Sequence, residues 1–523
     1  MRKIVTIILL LPLFSCNDWL DIEPEQSVTF MNYFQREQDL EDVLNSMLVN
    51  ERSIFANDFG DAFGWSGLPS WNGGDYDGFR KLEPDSYLDR RIATYGVFGR
   101  ENWTTHYKTI YYTNLLEENR SRFENISEER ADYWIAQANF IKALVYFDLA
   151  RRWGDVPFAP ASESKDAVGK SPAKDVLEEA IRCANIALTL PTHDQLTDSQ
   201  GKSVTSKQYA SLGTVHTLLA NIYAWMGGLY GDEEYWRKAE EHASLVIDKK
   251  VGVYELETSI DLMLKNTLGK NRVSSETIFG IEINSQDINR EGTDIYECRY
   301  PGLKLMNYPH VVTDPTSIRT ATDIPRIRVR DVEALYTDEN DVRRKEYWYK
   351  LGEPLGEEYE DDPEYVSYYA FLNKWRDPIY SEDPNINQWH TAPLAFEGNR
   401  VVWRLADLIL LRGECRTRLN MATAKDDLDL IRERAGLKKY AGATDAESLR
   451  KEIFRERERE LFGEGQRYYD IVRNGYFREE LAGNYTTLEE EDIKNGALYL
   501  PIGSTAFDKN PLMKQNAYWL WRQ

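Results

Sequence analysis

The sequence predicts a mainly α-helical protein, built of irregular helix pairs that scaffold a loop-rich region with short β-strands. Three observations carry that expectation. Residues 132–152, DYWIAQANFIKALVYFDLARR, set Ala138, Ile141, Val145 and Leu149 on one helical face and Phe140, Leu144 and Phe147 on another. A helix apolar on most sides belongs in an interior. Small or apolar residues then recur at i, i+4 and i+7 in three later segments: Ala180, Ala184, Ala187; Ala239, Ala243, Val246; and Ala424, Leu428, Ile431. Finally, residues 284–400 are rich in Asn, Asp, Pro and Tyr and show little helical period.

The elements follow in chain order. MRKIVTIILLLPLFSC opens with basic Arg2 and Lys3, then an apolar stretch from Ile4 to Phe14 broken only by Thr6 and Pro12. A bilayer span needs about 20 apolar residues, so 1–15 reads as a secretory signal. Leu13-Phe14-Ser15-Cys16 resembles a bacterial lipobox, which makes Cys16 the expected lipidation site. Acyl chains contribute about 0.8 kcal/mol per buried CH₂, so a multiply acylated Cys16 would hold the mature protein, 16–523, on a membrane.

Residues 64–79, GWSGLPSWNGGDYDGF, place Trp65, Trp71, Tyr76 and Phe79 among glycines and a proline, so the segment reads as loop. Aromatics in a surface loop either fold back as a lid or form a binding surface. Gly154 and Pro157 end the 132–152 helix. The second and third alanine-type segments are each preceded by a helix, 207–226 and 402–419. Such pairs, within about 40–250 and 402–436, resemble tetratricopeptide units. TIFGIEI, 277–283, is a strand candidate that opens a loop-rich insertion running to about residue 400. Loops of that length inside a compact protein are often functional. No Gly-, Ser- or Pro-rich linker divides the chain, so a single domain is expected, with 437–523 as its C-terminal region.

Composition narrows the chemistry. The net charge of −23 argues against nucleic acid, whose phosphates need clustered Lys and Arg. Cys16, Cys183, Cys298 and Cys415 are scattered without a C-x-x-C pair, and Cys183 and Cys415 fall in helical patterns as buried thiols. No histidine spacing suggests a metal, and no glycine-rich nucleotide motif or G-x-S-x-G elbow occurs, so no cofactor is expected. Aromatics are plentiful, with 32 Tyr and 14 Trp.

Six ordered blocks resemble the SusD/RagB outer-membrane lipoproteins of Bacteroidetes. They are CNDWLDIEP (16–24), AQANFIKALVYFDLARRWGDVPF (136–158), WRLADLILLRGEC (403–415), IRERAGL (431–437), ERERELFGEGQRYYDIVRNG (456–475) and LPIGSTAFDKNPLMKQNAYW (500–519). Lys142 stands where that family usually has Arg, and Gly413 and Cys415 replace alanines. The resemblance implies a SusD-like fold on about four irregular tetratricopeptide units. It also implies a lipid anchor in the outer membrane facing outward, capture of oligo- or polysaccharide, and a SusC-like TonB-dependent transporter as partner.

These blocks are packing motifs and carry no sugar-binding residues, so candidate contacts come from chemistry. A sugar offers apolar C–H faces bordered by hydroxyls, which call for flat rings beside Asp, Asn, Gln or Arg. Three clusters fit. The first is Trp65, Trp71, Asn72, Asp75, Tyr76 and Arg80; the second is Gln286, Asp287, Tyr296, Arg299 and Tyr300; the third is Tyr-Trp-Tyr at 347–349, centred on Trp348. Two alternatives stand beside this reading. A glycoside hydrolase needs two carboxylates about 5–5.5 or 6.5–9.5 Å apart, and none of the 87 acidic residues stands out for that role. A purely structural adaptor would leave the loop aromatics unexplained.

Overall fold

The computed structural model describes residues 33–55, 75–76, 103–162, 164, 166–283, 326–353, 369–379, 395–481, 483–508 and 510–520. Helices dominate. The N-terminal scaffold comprises α1 (Glu37–Phe55), α2 (Thr104–Glu118), α3 (Glu128–Trp153), α4 (Ala173–Ala187), α5 (Leu212–Tyr230) and α6 (Glu233–Ile247).

The expected 132–152 helix is α3, longer by four residues at its start. Ser127 caps it by accepting the Arg130 N–H, and Glu128 and Glu129 lie in its first turn while Arg151 and Arg152 close its last. That charge order complements the helix dipole. Gly154 ends it at φ 74°. A Cβ there would sit 2.8 Å from the Tyr499 ring, so glycine is required twice over, by backbone and by space.

α5 starts five residues after the expected 207, where Ser211 caps it by accepting the Thr214 N–H, and runs past the expected end at 226. Gly227 and Gly228 break helices in sequence terms, yet here they lie inside one because neighbours come too close for a side chain. A Cβ on Gly228 would meet the Arg473 carbonyl oxygen at 2.4 Å. Helix pairs form as the spacing indicates: α3 packs on α4 and α5 on α6. Ala180, Ala184, Ala187, Ala239, Ala243 and Val246 are all fully buried between them.

The chain then enters β2 (Thr277–Ile283), as expected, and the loop-rich region. There β1 (Asp75–Tyr76), β3 (Arg326–Arg328), β4 (Trp348–Tyr349) and β5 (Tyr369–Leu372) form a four-stranded sheet of order β1-β3-β5-β4. A short helix, α7 (Val329–Leu335), follows β3 directly. Two further strands, β6 (Pro378–Ile379) and β7 (Ala395–Phe396), pair with each other. β8 (Gly398–Arg404) pairs antiparallel with β2 across an irregularity between Thr277 and Gly280. The helix expected at 402–419 thus starts three residues later, as α8 (Leu405–Arg418), because 402–404 still belong to the ladder.

α9 (Ala424–Arg434), α10 (Ala446–Glu460) and α11 (Arg467–Asn474) complete the C-terminal scaffold, with α8 packed on α6, α9 and α10. Among the described residues the apolar core falls into a large cluster, a smaller one, and a minor one of Ala424, Leu428, Leu449 and Ile453 between α9 and α10. The large cluster lies among the helices; the smaller one, with Val332, Tyr336, Tyr347, Trp348, Trp375 and Phe396, lies under the loop-rich region. Among the described residues no helix is long and apolar enough to cross a membrane.

Candidate binding surface

The four-stranded sheet joins segments far apart in sequence. β1, at the C-terminal end of the 64–79 aromatic segment, pairs parallel with β3 so that Asp75 lies opposite Arg326 and Tyr76 opposite Ile327. β3 in turn pairs antiparallel with β5, Ile327 opposite Ala370, and β5 with β4, Leu372 opposite Trp348. The segment carrying the second aromatic cluster leads into β3. One sheet therefore joins Asp75 and Tyr76 of the first cluster to the strand that carries Trp348 and Tyr349.

The individual candidates stand as follows. Asp75 and Tyr76 are fixed in backbone register on β1. Trp65, Trp71, Asn72, Arg80, Gln286, Asp287, Tyr296, Arg299 and Tyr300 lie outside the described residues, as does Cys16. Trp348 needs correction as a ligand contact. It is 1% exposed and packs edge-on against Phe462, with ring centroids 5.0 Å apart at 69°. A ring so enclosed offers no face to a sugar, and its role is core packing beneath the sheet. Its neighbour Tyr347 is also buried, donating its hydroxyl to the Glu460 carbonyl at 3.2 Å, whereas Tyr349 is half-buried.

What holds the sheet to the scaffold is a buried ionic cluster at the C-terminal end of α10. Arg404, at the end of β8, donates to Glu464 (2.8 Å), Glu276 (2.9 Å), Glu460 (2.7 Å) and the Glu460 carbonyl (3.0 Å). Arg343, shortly before β4, bonds Asp341 (2.7 Å), Glu456 (2.8 Å) and Glu460 (3.1 Å). Lys374, just after β5, reaches Glu464 and the carbonyls of Glu460 (3.2 Å) and Phe462 (3.0 Å). Arg434 closes the group on Glu276 and Glu460.

Cations thus meet both carboxylates and the free carbonyls of a helix C-terminus, where the dipole favours them. Burial opposes the charged form of Glu464, but Arg404 and Lys374 outweigh it and hold the carboxyl at about 2. Burial dominates at Lys374 and lowers its ammonium to about 8 despite Glu464.

A concavity of about 500 Å³ opens between the start of α2, residues 157–168 and residues 506–513. Trp103 and Tyr107 meet there edge-on at 5.8 Å, and the Tyr107 hydroxyl donates to the Pro157 carbonyl at 2.6 Å. Phe158 and Met513 extend its apolar floor, while Lys108 and Asp166 stand at the rim. Such a lining suits a small amphipathic group. Sequence reasoning passed over it; the usable signal was the i, i+4 aromatic pair Trp103 and Tyr107. Its walls are tied by the closing sequence block. Gln515 exchanges two hydrogen bonds with the Ile502 backbone, both 2.9 Å, and Asn516 donates to the Trp153 carbonyl at 3.2 Å.

His106 and Asp148 hydrogen-bond at 3.1 Å, but both are buried, and Arg152 also holds Asp148 at 2.7 Å. The pair is a packing element rather than an open acid–base dyad. Cys183 and Cys415 are buried as expected, and burial pushes the Cys183 thiol up to about 12.

A family model described as the SusD family matches residues 312–519, and one described as "Starch-binding associating with outer membrane" matches residues 18–190. SusD-like protein P25 of Formosa agariphila is 24% identical, over 98% of this chain and 97% of its own. A solved SusD homologue from Bacteroides thetaiotaomicron superposes with TM-score 0.70 at 20% identity, covering 93% of this chain and 99% of that one. Surface glycan-binding protein A from Bacteroides uniformis does so with TM-score 0.63 at 19% identity, covering 92% and 100%. Helical scaffold, loop-rich face and motif blocks converge: the chain belongs to the SusD/RagB family.

Proposed function

We propose that this protein is a lipid-anchored, outward-facing outer-membrane protein that captures oligo- or polysaccharide and delivers it, uncleaved, to a SusC-like TonB-dependent transporter. The observation that supports the reading is the sheet pairing of β1 with β3, Asp75 opposite Arg326 and Tyr76 opposite Ile327, which ties one candidate cluster to the loop-rich region. A glycan face there would use Trp65, Trp71, Tyr76, Tyr296 and Tyr300 as platforms. Asn72, Asp75, Arg80, Gln286, Asp287 and Arg299 would serve the hydroxyls.

The starch-binding description of the matched family model and the glycan-binding name of the similar Bacteroides uniformis protein both support carbohydrate as the ligand. Cys16 supplies the anchor, its lipid holding the chain at the membrane without a spanning helix. Each stacked ring contributes only modestly, so repeated sugar units and a membrane-held receptor would raise apparent affinity through avidity. Around α10 and α11, the buried carboxylates Glu276, Glu414, Glu456, Glu460, Glu464 and Asp470 are each engaged by arginine, which leaves them unavailable for acid–base work.

Affinity electrophoresis against a panel of soluble polysaccharides that includes starch tests the proposal, with reducing ends assayed in parallel. Retardation in at least one gel with no new reducing ends is expected. Release of reducing ends, or no retardation in any gel, would overturn it.

A further inference from the structure

Outside the candidate surface, two histidines meet on the seam between α5 and α6. His216 Nδ1 lies 2.8 Å from His242 Nδ1, with ring centroids 5.0 Å apart. The centroid separation is close to the N···N distance plus two ring radii, so the nitrogens face each other head-on. A neutral imidazole has one N–H and one bare nitrogen, so this contact requires a single proton shared between the two rings.

The pair is enclosed by neighbouring rings. Tyr223 of α5 stacks on His242 at 5.6 Å and 6°, and Tyr235 of α6 stacks on Tyr223 at 6.3 Å and 20°. Lys238 of α6 stands 5.3 Å from the Tyr223 ring centre. Several charges on the elements packed around these helices are paired elsewhere. On α8, Arg416 holds Glu240 of α6 at 2.9 Å; on α4, Arg182 holds Glu179 at 2.6 Å; on α11, Arg473 holds Glu414 and Asp470. Among the described residues no carboxylate pairs with either histidine.

We propose that His216 and His242 form an acid-sensitive clasp, in which one shared proton holds α6 against α5 and a second proton opens the seam. A second proton turns N–H toward N–H in a half-buried space that already faces the Lys238 ammonium. Burial is the main force holding both rings below the ordinary histidine range, with His216 and Lys238 adding to it at His242, which lies at about 4. The sign follows from linkage. A histidine whose folded value is depressed takes up protons on opening, so the clasp is intact above the ordinary histidine range. It weakens as pH falls from there toward about 4. Opening would free α6, whose Ala239, Ala243 and Val246 stripe is buried in the scaffold.

Hydrogen exchange by mass spectrometry on the full chain tests this, at about pH 7 and pH 4.5, with labelling times scaled to the intrinsic rates. Peptides from α6 should lose about tenfold or more in protection at the lower pH, while α3 peptides change far less. His242→Asn, and separately His216→Gln, should keep α6 protected at pH 7 and flatten its pH dependence. Equal loss in α3 and α6, unchanged α6 protection in the wild type, or full pH dependence in both variants would overturn the clasp. Should one variant fail to fold, the wild-type comparison of α6 with α3 decides.

Discussion

Replacing Arg404 by Met tests whether the ionic cluster under the sheet fixes the loop-rich region. Arg404 is fully buried and donates to three carboxylates and one carbonyl. Charge-assisted hydrogen bonds are each worth about 1.5–3 kcal/mol, so a simple sum over its bonds would far exceed what a single substitution costs. Arg434 still holds Glu276 and Glu460, and Lys374 still holds Glu464. The relevant figure is therefore that for removing one partner of a buried ionic group, about 3–5 kcal/mol. With a guanidinium slope of roughly 5 kcal/mol/M for a chain this large, the unfolding midpoint should fall by about 0.6–1 M.

The deficit should also depend on pH, with a definite sign. In the wild type the Glu464 value is depressed to about 2, so its contribution is full above the ordinary carboxylate range and is lost as pH falls toward 2. Without Arg404 that carboxyl moves upward, protonates more readily and tolerates burial as a neutral acid. The gap between variant and wild type should be largest near neutrality and smaller at about pH 5. A deficit below about 1 kcal/mol, or one identical at the two pH values, would refute the argument that buried charge pins the sheet.

Further outcomes follow from the same structure. Trp348→Ala should cost about 3–5 kcal/mol and lower the melting temperature, since the ring fills the core under the sheet; a variant that melts like wild type yet binds glycan less would return that ring to the ligand face. Cys16→Ala should abolish fatty-acid labelling and membrane retention, and labelling at the wild-type level would remove Cys16 as the anchor. Solubilised from native membranes in mild detergent, the protein should co-purify with a large β-barrel through an interface above about 1,000 Å². Its recovery without such a partner, even after cross-linking, would count against delivery to a transporter.

Local signals made the scaffold legible and long-range ones hid the rest. The α3 pattern and the alanine stripes report which helical faces are buried, and those faces are buried in the structure. By contrast, ERERE at 456–460 looks solvent-facing by composition, yet Glu456, Arg457, Glu458 and Glu460 are all buried. Their partners include Arg343, Asp407 and Arg404, about 50 or more positions away, so no window along the chain could show those pairings. Trp348 illustrates the same gap. Tyr-Trp-Tyr between polar segments resembles an exposed cluster until β4 pairs with β5 and Phe462 closes over the indole. The proposed glycan face is read from residue chemistry alone, and the long-range link that the sequence hid is the β1–β3 pairing between residues some 250 positions apart.

The central claim, that the loop aromatics capture a sugar, is tested most directly by calorimetric titration. Wild type and the Trp65→Ala, Trp71→Ala double variant would be titrated with the polysaccharide that retards the protein in gels. Each stacked ring should be worth on the order of 1 kcal/mol, so the double variant should bind roughly tenfold or more weakly. Equal affinity in the two proteins would contradict the account and leave the 64–79 rings as a lid.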